Sequence, residues 1–67
     1  MIGNKLWAKA YVVISNGKKI YVENSVSYIK FKIESDDEVI SLDIATWIRD
    51  QTINVNAKDI LYYGSVL

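Results

Sequence analysis

The chain has 67 residues, no cysteine and no histidine, and eight Lys plus Arg balanced by eight Asp plus Glu. Such a length makes one small domain, residues 1–67, which buries only about 60% of the surface of its unfolded chain. Disulfides, thiolate or imidazole metal sites and His- or Cys-based nucleophilic triads are excluded, and zero net charge removes the broad positive field typical of nucleic-acid binders.

Arginine occurs once, at Arg49, so bidentate contacts to phosphate or carboxylate have a single candidate. The absence of cysteine predicts a reducing, cytoplasmic setting, because small secreted domains lean on disulfides. No apolar run approaches the roughly 18 residues of a membrane span. The N-terminus, Met-Ile-Gly-Asn-Lys-Leu-Trp, has no long apolar signal core. The chain is either complete or a domain that follows a removed anchor.

Residues 6–14 predict a first strand. Leu6, Ala8, Ala10, Val12 and Ile14 share one face, and Trp7, Lys9, Tyr11 and Val13 share the other. Apolar groups on both faces predict a strand buried on one side and partly covered on the other. Asn16-Gly17 then signals a hairpin, since both residues accept positive φ. It folds Ile20-Tyr21-Val22 back on Tyr11-Val12-Val13. Asn24-Ser25 marks a break or bulge.

Residues 26–46 alternate apolar and polar groups on both sides of Asp36-Asp37, which predicts a second hairpin. The expected register sets Ile33 against Ile40, Phe31 against Leu42 and Ile29 against Ile44, with Lys30 opposite Asp43 and Lys32 opposite Ser41. A slip of one residue breaks all these pairs together. The loop is either Asp36-Asp37 or the four residues Ser35 to Glu38. Thr46 to Gln51 stops alternating and suits one capped helical turn, with Trp47 and Ile48 plugging the core. Ile53 and Val55 alternate with asparagines in a short strand, Asn56 to Asp59 turns, and Ile60 to Val66 makes a last strand. Within it Gly64 marks a bulge or a close approach of backbone.

The predicted fold class is all-β: a small SH3-like or OB-like barrel, or a strongly curled antiparallel sheet, of four to five strands with one short helical turn. Strand edges left open in such a fold invite pairing with another chain.

Chemistry is sparse. Asp36, Asp37 and Glu38 are the one acidic cluster, without the alternate-ligand spacing of a calcium loop. No enzymatic activity, metal or cofactor is expected. The candidate binding residues are Trp7, Lys9 and Tyr11, joined by Tyr28, Lys30 and Lys32 on the outer face of the long hairpin. Aromatic rings interleaved with lysines form platforms on which single-stranded nucleic acid stacks. The same pattern also arises when lysine stems cover rings on a small domain.

Ala8 to Val13, the Tyr-x-x-Phe segment Tyr28 to Phe31, the alternating Val39 to Ile44 and the closing Leu61 to Ser65 resemble the bacterial family known as domain of unknown function 2500. That family is similar to a small β-domain behind an N-terminal membrane anchor. Where its members turn through Gly-Asp, this chain has Asn56-Ala57-Lys58-Asp59. The resemblance implies a similar barrel and carries no defined activity. The expected function is a non-catalytic protein-interaction module, able to self-associate. The alternative is a barrel that binds single-stranded nucleic acid, which the charge balance disfavours.

Overall fold

The computed structural model describes residues 2–48 and 51–66. It is mostly β, with five strands and one helix: β1 (Ala10–Ile14), β2 (Lys19–Val22), α1 (Val26–Glu34), β3 (Val39–Asp43), β4 (Thr52–Asn56) and β5 (Ile60–Ser65). Short 3-10 helices cover Lys5–Trp7 and Ala57–Asp59. The strands form two antiparallel sheets, β2-β1-β5 and β3-β4. The sheets do not close into a barrel. A single antiparallel bridge, Val22 to Ile44, links them.

The Asn16-Gly17 hairpin forms as expected. Tyr11 pairs with Tyr21 and Val12 with Ile20. Gly17 sits at φ 82°, and the Asn16 side chain accepts the Lys18 N–H at 2.8 Å. The strand before this turn is shorter than the predicted 6–14. Asn4 Oδ1 accepts the Leu6 N–H at 2.9 Å and caps the first 3-10 helix, so the strand itself begins only at Ala10. Leu6 therefore leaves the core face assigned to it and is 90% exposed.

The second hairpin is the main correction. Residues 26–34 are helical, so the expected pairs of Ile33, Phe31 and Ile29 with Ile40, Leu42 and Ile44 do not exist. The tie of Lys30 to Asp43 falls with them. β3 pairs instead with β4, Ile40 opposite Val55 and Leu42 opposite Ile53. The Tyr28 to Phe31 segment, a strand in the family resemblance, lies inside α1.

Local chemistry explains the helix. Ser25 is an extended N-cap whose Oγ accepts the Tyr28 N–H at 3.1 Å. Val26, Ile29 and Ile33 recur at helical spacing, and Ile29 is fully buried against Ile40 and Leu42. The Ser35 hydroxyl and amide both donate to the Phe31 carbonyl, at 2.7 and 2.9 Å, and Asp36 ends the helix at φ 63°. Phe31 sits across the helix from Ile29 and is 64% exposed.

The predicted helical turn at Thr46 to Gln51 is also corrected. Thr46 to Ile48 form a bend, with the Ile48 N–H 3.4 Å from Thr46 Oγ1; Arg49 and Asp50 lie outside the described residues. Trp47 and Ile48 do not plug the core, being 74% and 48% exposed.

One continuous core joins Ala10, Val12, Ile20, Val22, Ile29, Ile40, Leu42 and Val55. A smaller cluster of Ala8, Tyr21 and Ala45 sits where the N-terminal arm crosses β2. Gly3 makes that crossing possible. It has φ 86°, and a Cβ there would lie 2.6 Å from the Tyr21 carbonyl oxygen.

Two substitutions separate helix from hairpin. Ile29→Ala is expected to cost about 2–5 kcal/mol in urea unfolding, the range for truncating a buried aliphatic chain. Phe31→Ala is expected to stay within about 0.5 kcal/mol, as for an exposed position. Comparable losses at both positions would restore the hairpin, in which both face the core.

Candidate functional site

The outer face of the β2-β1-β5 sheet gathers the most aromatic and cationic groups. Along β1, side chains alternate faces, so Tyr11 and Val13 point away from the core that buries Ala10 and Val12. Register brings Tyr21 and Gly64 to either side of Tyr11, and Lys19 and Tyr62 to either side of Val13. Lys9 extends the ladder by one residue: its N–H donates to Val22 at 2.9 Å and its carbonyl accepts from Val66 at 3.2 Å.

These groups touch. The Lys19 ammonium lies 4.5 Å from the Tyr11 ring centre and 5.3 Å from that of Tyr21. Tyr11 and Tyr62 meet edge to face at 6.4 Å. Gly64 provides the room: a Cβ there would fall 2.7 Å from the Tyr11 hydroxyl and 2.9 Å from its ring. The predicted close approach at Gly64 is thus between the β5 backbone and the Tyr11 ring, while the register shift of β5 falls opposite Val13 and Ile14. Tyr21 is buried, Tyr11 is half-buried and Tyr62 is 57% exposed.

The six residues singled out from sequence separate into two groups. Lys9 and Tyr11 share this sheet face, and Trp7 stands just before them in the first 3-10 helix, 54% exposed. Tyr28, Lys30 and Lys32 belong to α1, whose apolar side packs on the opposite, core-facing side of the sheet. There Tyr28 donates from its hydroxyl to the Ser41 carbonyl at 3.0 Å, and Lys32 lies 5.6 Å from the Tyr28 ring centre and 3.9 Å from Asp37. Lys30 is exposed on the helix. Sequence reasoning missed Lys19 and Tyr62, which register alone brings beside Tyr11.

Charge segregation was also missed, although the sequence contains it. Residues 1–22 hold Lys5, Lys9, Lys18 and Lys19 and no carboxylate. Residues 23–43 hold Glu23, Glu34, Asp36, Asp37, Glu38 and Asp43 against Lys30 and Lys32. Zero net charge therefore conceals a basic arm and first hairpin beside an acidic middle.

Three further features complete the surface. An open cleft of about 340 Å³ lies between Asp36, Asp37, Glu38 and Asn56, Ala57, Lys58. Among the described residues, no group of three or more carboxylates is placed to hold a metal ion. The free edge of β2 is covered, since Ile2 pairs with Ile20 and the Ala45 N–H donates to Tyr21. β4 and β5 end their sheets, with no strand along their outer sides among the described residues.

No family model, curated protein or solved structure matches this chain. Among the described residues no helix is long and apolar enough to cross a membrane.

The packing of Tyr11 on Gly64 has a direct check. Gly64→Ala is expected to destabilise the fold by about 1 kcal/mol, at the low end for overpacking, because the ring swings aside. In a Tyr11→Ser background the same substitution is expected to be nearly neutral, measured as a double-mutant cycle. An equal cost in both backgrounds would place the strain in the β5 backbone.

Proposed function

We propose that this chain is a non-catalytic protein-interaction module that also associates with itself. The observation that carries the reading is the end of the molecule near Ala45. The Asn4 N–H donates to the Ala45 carbonyl at 2.6 Å, and Ala8 packs with Ala45. Those contacts bring the segment bearing Leu6 and Trp7 alongside the bend bearing Trp47 and Ile48, and all four side chains are about half exposed or more. Apolar groups gathered in this way mark interaction surfaces, and tryptophan is a favoured anchor residue.

The open sides of β4 and β5 support the same reading, because a partner strand adds to an unpaired edge. The non-catalytic part rests on composition, with neither histidine nor cysteine to serve as base or nucleophile. We place the chain in the bacterial cytoplasm on its lack of cysteine and on the family resemblance. Strand neighbours run β5-β1-β2, across the Val22–Ile44 bridge, to β3 and β4, and a 3-10 turn joins β4 to β5. That order supports an incompletely closed SH3-like barrel as the finer fold.

The second reading, single-stranded nucleic-acid binding, is favoured by the charge segregation. Zero net charge counts against it less than the whole-chain sum suggests.

Light scattering over micromolar to millimolar concentration tests the first reading. The mass is expected to rise from 7.7 kDa toward twice that value. A double variant, Leu6→Ser with Trp47→Ser, is expected to stay monomeric. A mass fixed at 7.7 kDa throughout would count against self-association. An unaltered rise in the double variant would move the contact to a strand edge.

A further inference from the structure

We infer that the outer face of the β2-β1-β5 sheet binds single-stranded nucleic acid, with Tyr62 stacking on a base and Lys9 and Lys19 contacting the phosphates. The inference rests on the reading of the chain as a non-catalytic binding module and gives one surface a ligand.

Four observations converge on this face. Tyr62 is 57% exposed and meets the half-buried Tyr11 edge to face, so one aromatic ring stands open on the β5 side of this face. A base stacks on any such ring, because every base has a π-face. Lys19 already spans Tyr11 and Tyr21 through its ammonium, which places a cation beside the rings without using a carboxylate partner. Lys9 is exposed at the end of the same face, and Lys5 and Trp7 precede it in the arm. No carboxylate occurs before Glu23, which follows the end of β2 and whose N–H is tied to Asp43.

The charge pattern selects the ligand. Lys9 and Lys19 outnumber Glu23, which follows β2 next to Lys9, so the face is net positive and complements a polyanion, and the open Tyr62 favours one whose bases are unstacked over a duplex or an acidic peptide. The α1 set is a poorer counterpart. Lys32 is near Asp37, Tyr28 is tethered to Ser41, and the acidic turn follows directly.

Fluorescence anisotropy with labelled 20-nucleotide dT and U oligomers, a duplex of equal length and a poly-glutamate peptide tests the inference on the full chain. Saturable binding to both single strands is expected, weaker binding to the duplex, and none to the peptide. With Lys9 and Lys19 on phosphates, affinity is expected to fall about sevenfold between 50 and 200 mM salt. Tyr62→Ala is expected to weaken binding about tenfold, as for loss of one stacked base. Lys9→Gln is expected to flatten the salt dependence. Lys30→Ala with Lys32→Ala is expected to leave binding unchanged.

All these positions except Lys32 are exposed, and amide NMR spectra establish that each variant stays folded. Absence of binding, full affinity in Tyr62→Ala, loss confined to the Lys30 and Lys32 variant, or equal binding of poly-glutamate would each overturn the inference. If nucleic acid fails to bind while association through Leu6 and Trp47 persists, this site falls and the module reading stands.

Discussion

Both sides of the Tyr21 peptide are used along the outer edge of β2. Its N–H donates to Ile2 at 2.8 Å, and its carbonyl accepts from Ala45 at 2.9 Å. The Ala45 carbonyl in turn accepts from Asn4. Three distant segments are thus tied at one point: the N-terminal arm, the first hairpin and the chain after β3. The Val22–Ile44 bridge beside it is the paired link between the two sheets. Without this seam β2 has an open edge, the arm has no place to lie, and Leu6 and Trp7 are not held near Trp47. The seam is made of backbone groups, so its requirements are spatial. Gly3 meets them because the arm passes too near the Tyr21 carbonyl for a Cβ.

The surface chemistry follows from that arrangement. With β2 covered, β4 and β5 end their sheets with no strand along their outer sides among the described residues. Alternation along β1 puts Ala10 and Val12 inside and Tyr11 and Val13 on the outer side, with Lys9 just before the strand. The exposed apolar end and the tyrosine–lysine face are separate surfaces with different chemistry, one suited to protein partners and one to a polyanion.

Much of this was legible in the sequence where a single local rule decides. Asn16-Gly17 specified its hairpin because Gly17 takes the positive φ that the turn requires. Ile53, Val55 and the last strand followed from alternation. Residues 26–34 were misread because their pattern satisfies two periods at once. Ile29, Phe31 and Ile33 fit a strand, while Val26, Ile29 and Ile33 fit a helix, so Phe31 and Val26 differ between them. The Ser25 cap was the discriminating signal. The site was half legible. Lys9 and Tyr11 were visible as strand neighbours, but Lys19 and Tyr62 join them only through register, which depends on pairing between distant segments. Trp47 and Ile48 were assigned to the core on hydrophobicity, and a core already filled by Ile40, Leu42 and Val55 leaves them outside.

The seam is open to direct measurement by amide hydrogen exchange under native conditions. The Tyr21 and Ala45 amides, hydrogen-bonded at the junction, are expected to exchange at the rate of the Val12 and Ile20 amides in the core hairpin, opening only with global unfolding. Exchange of Ala45 as fast as that of the exposed Asn16 turn, with Val12 still protected, would show that the two sheets and the arm are not held together as described.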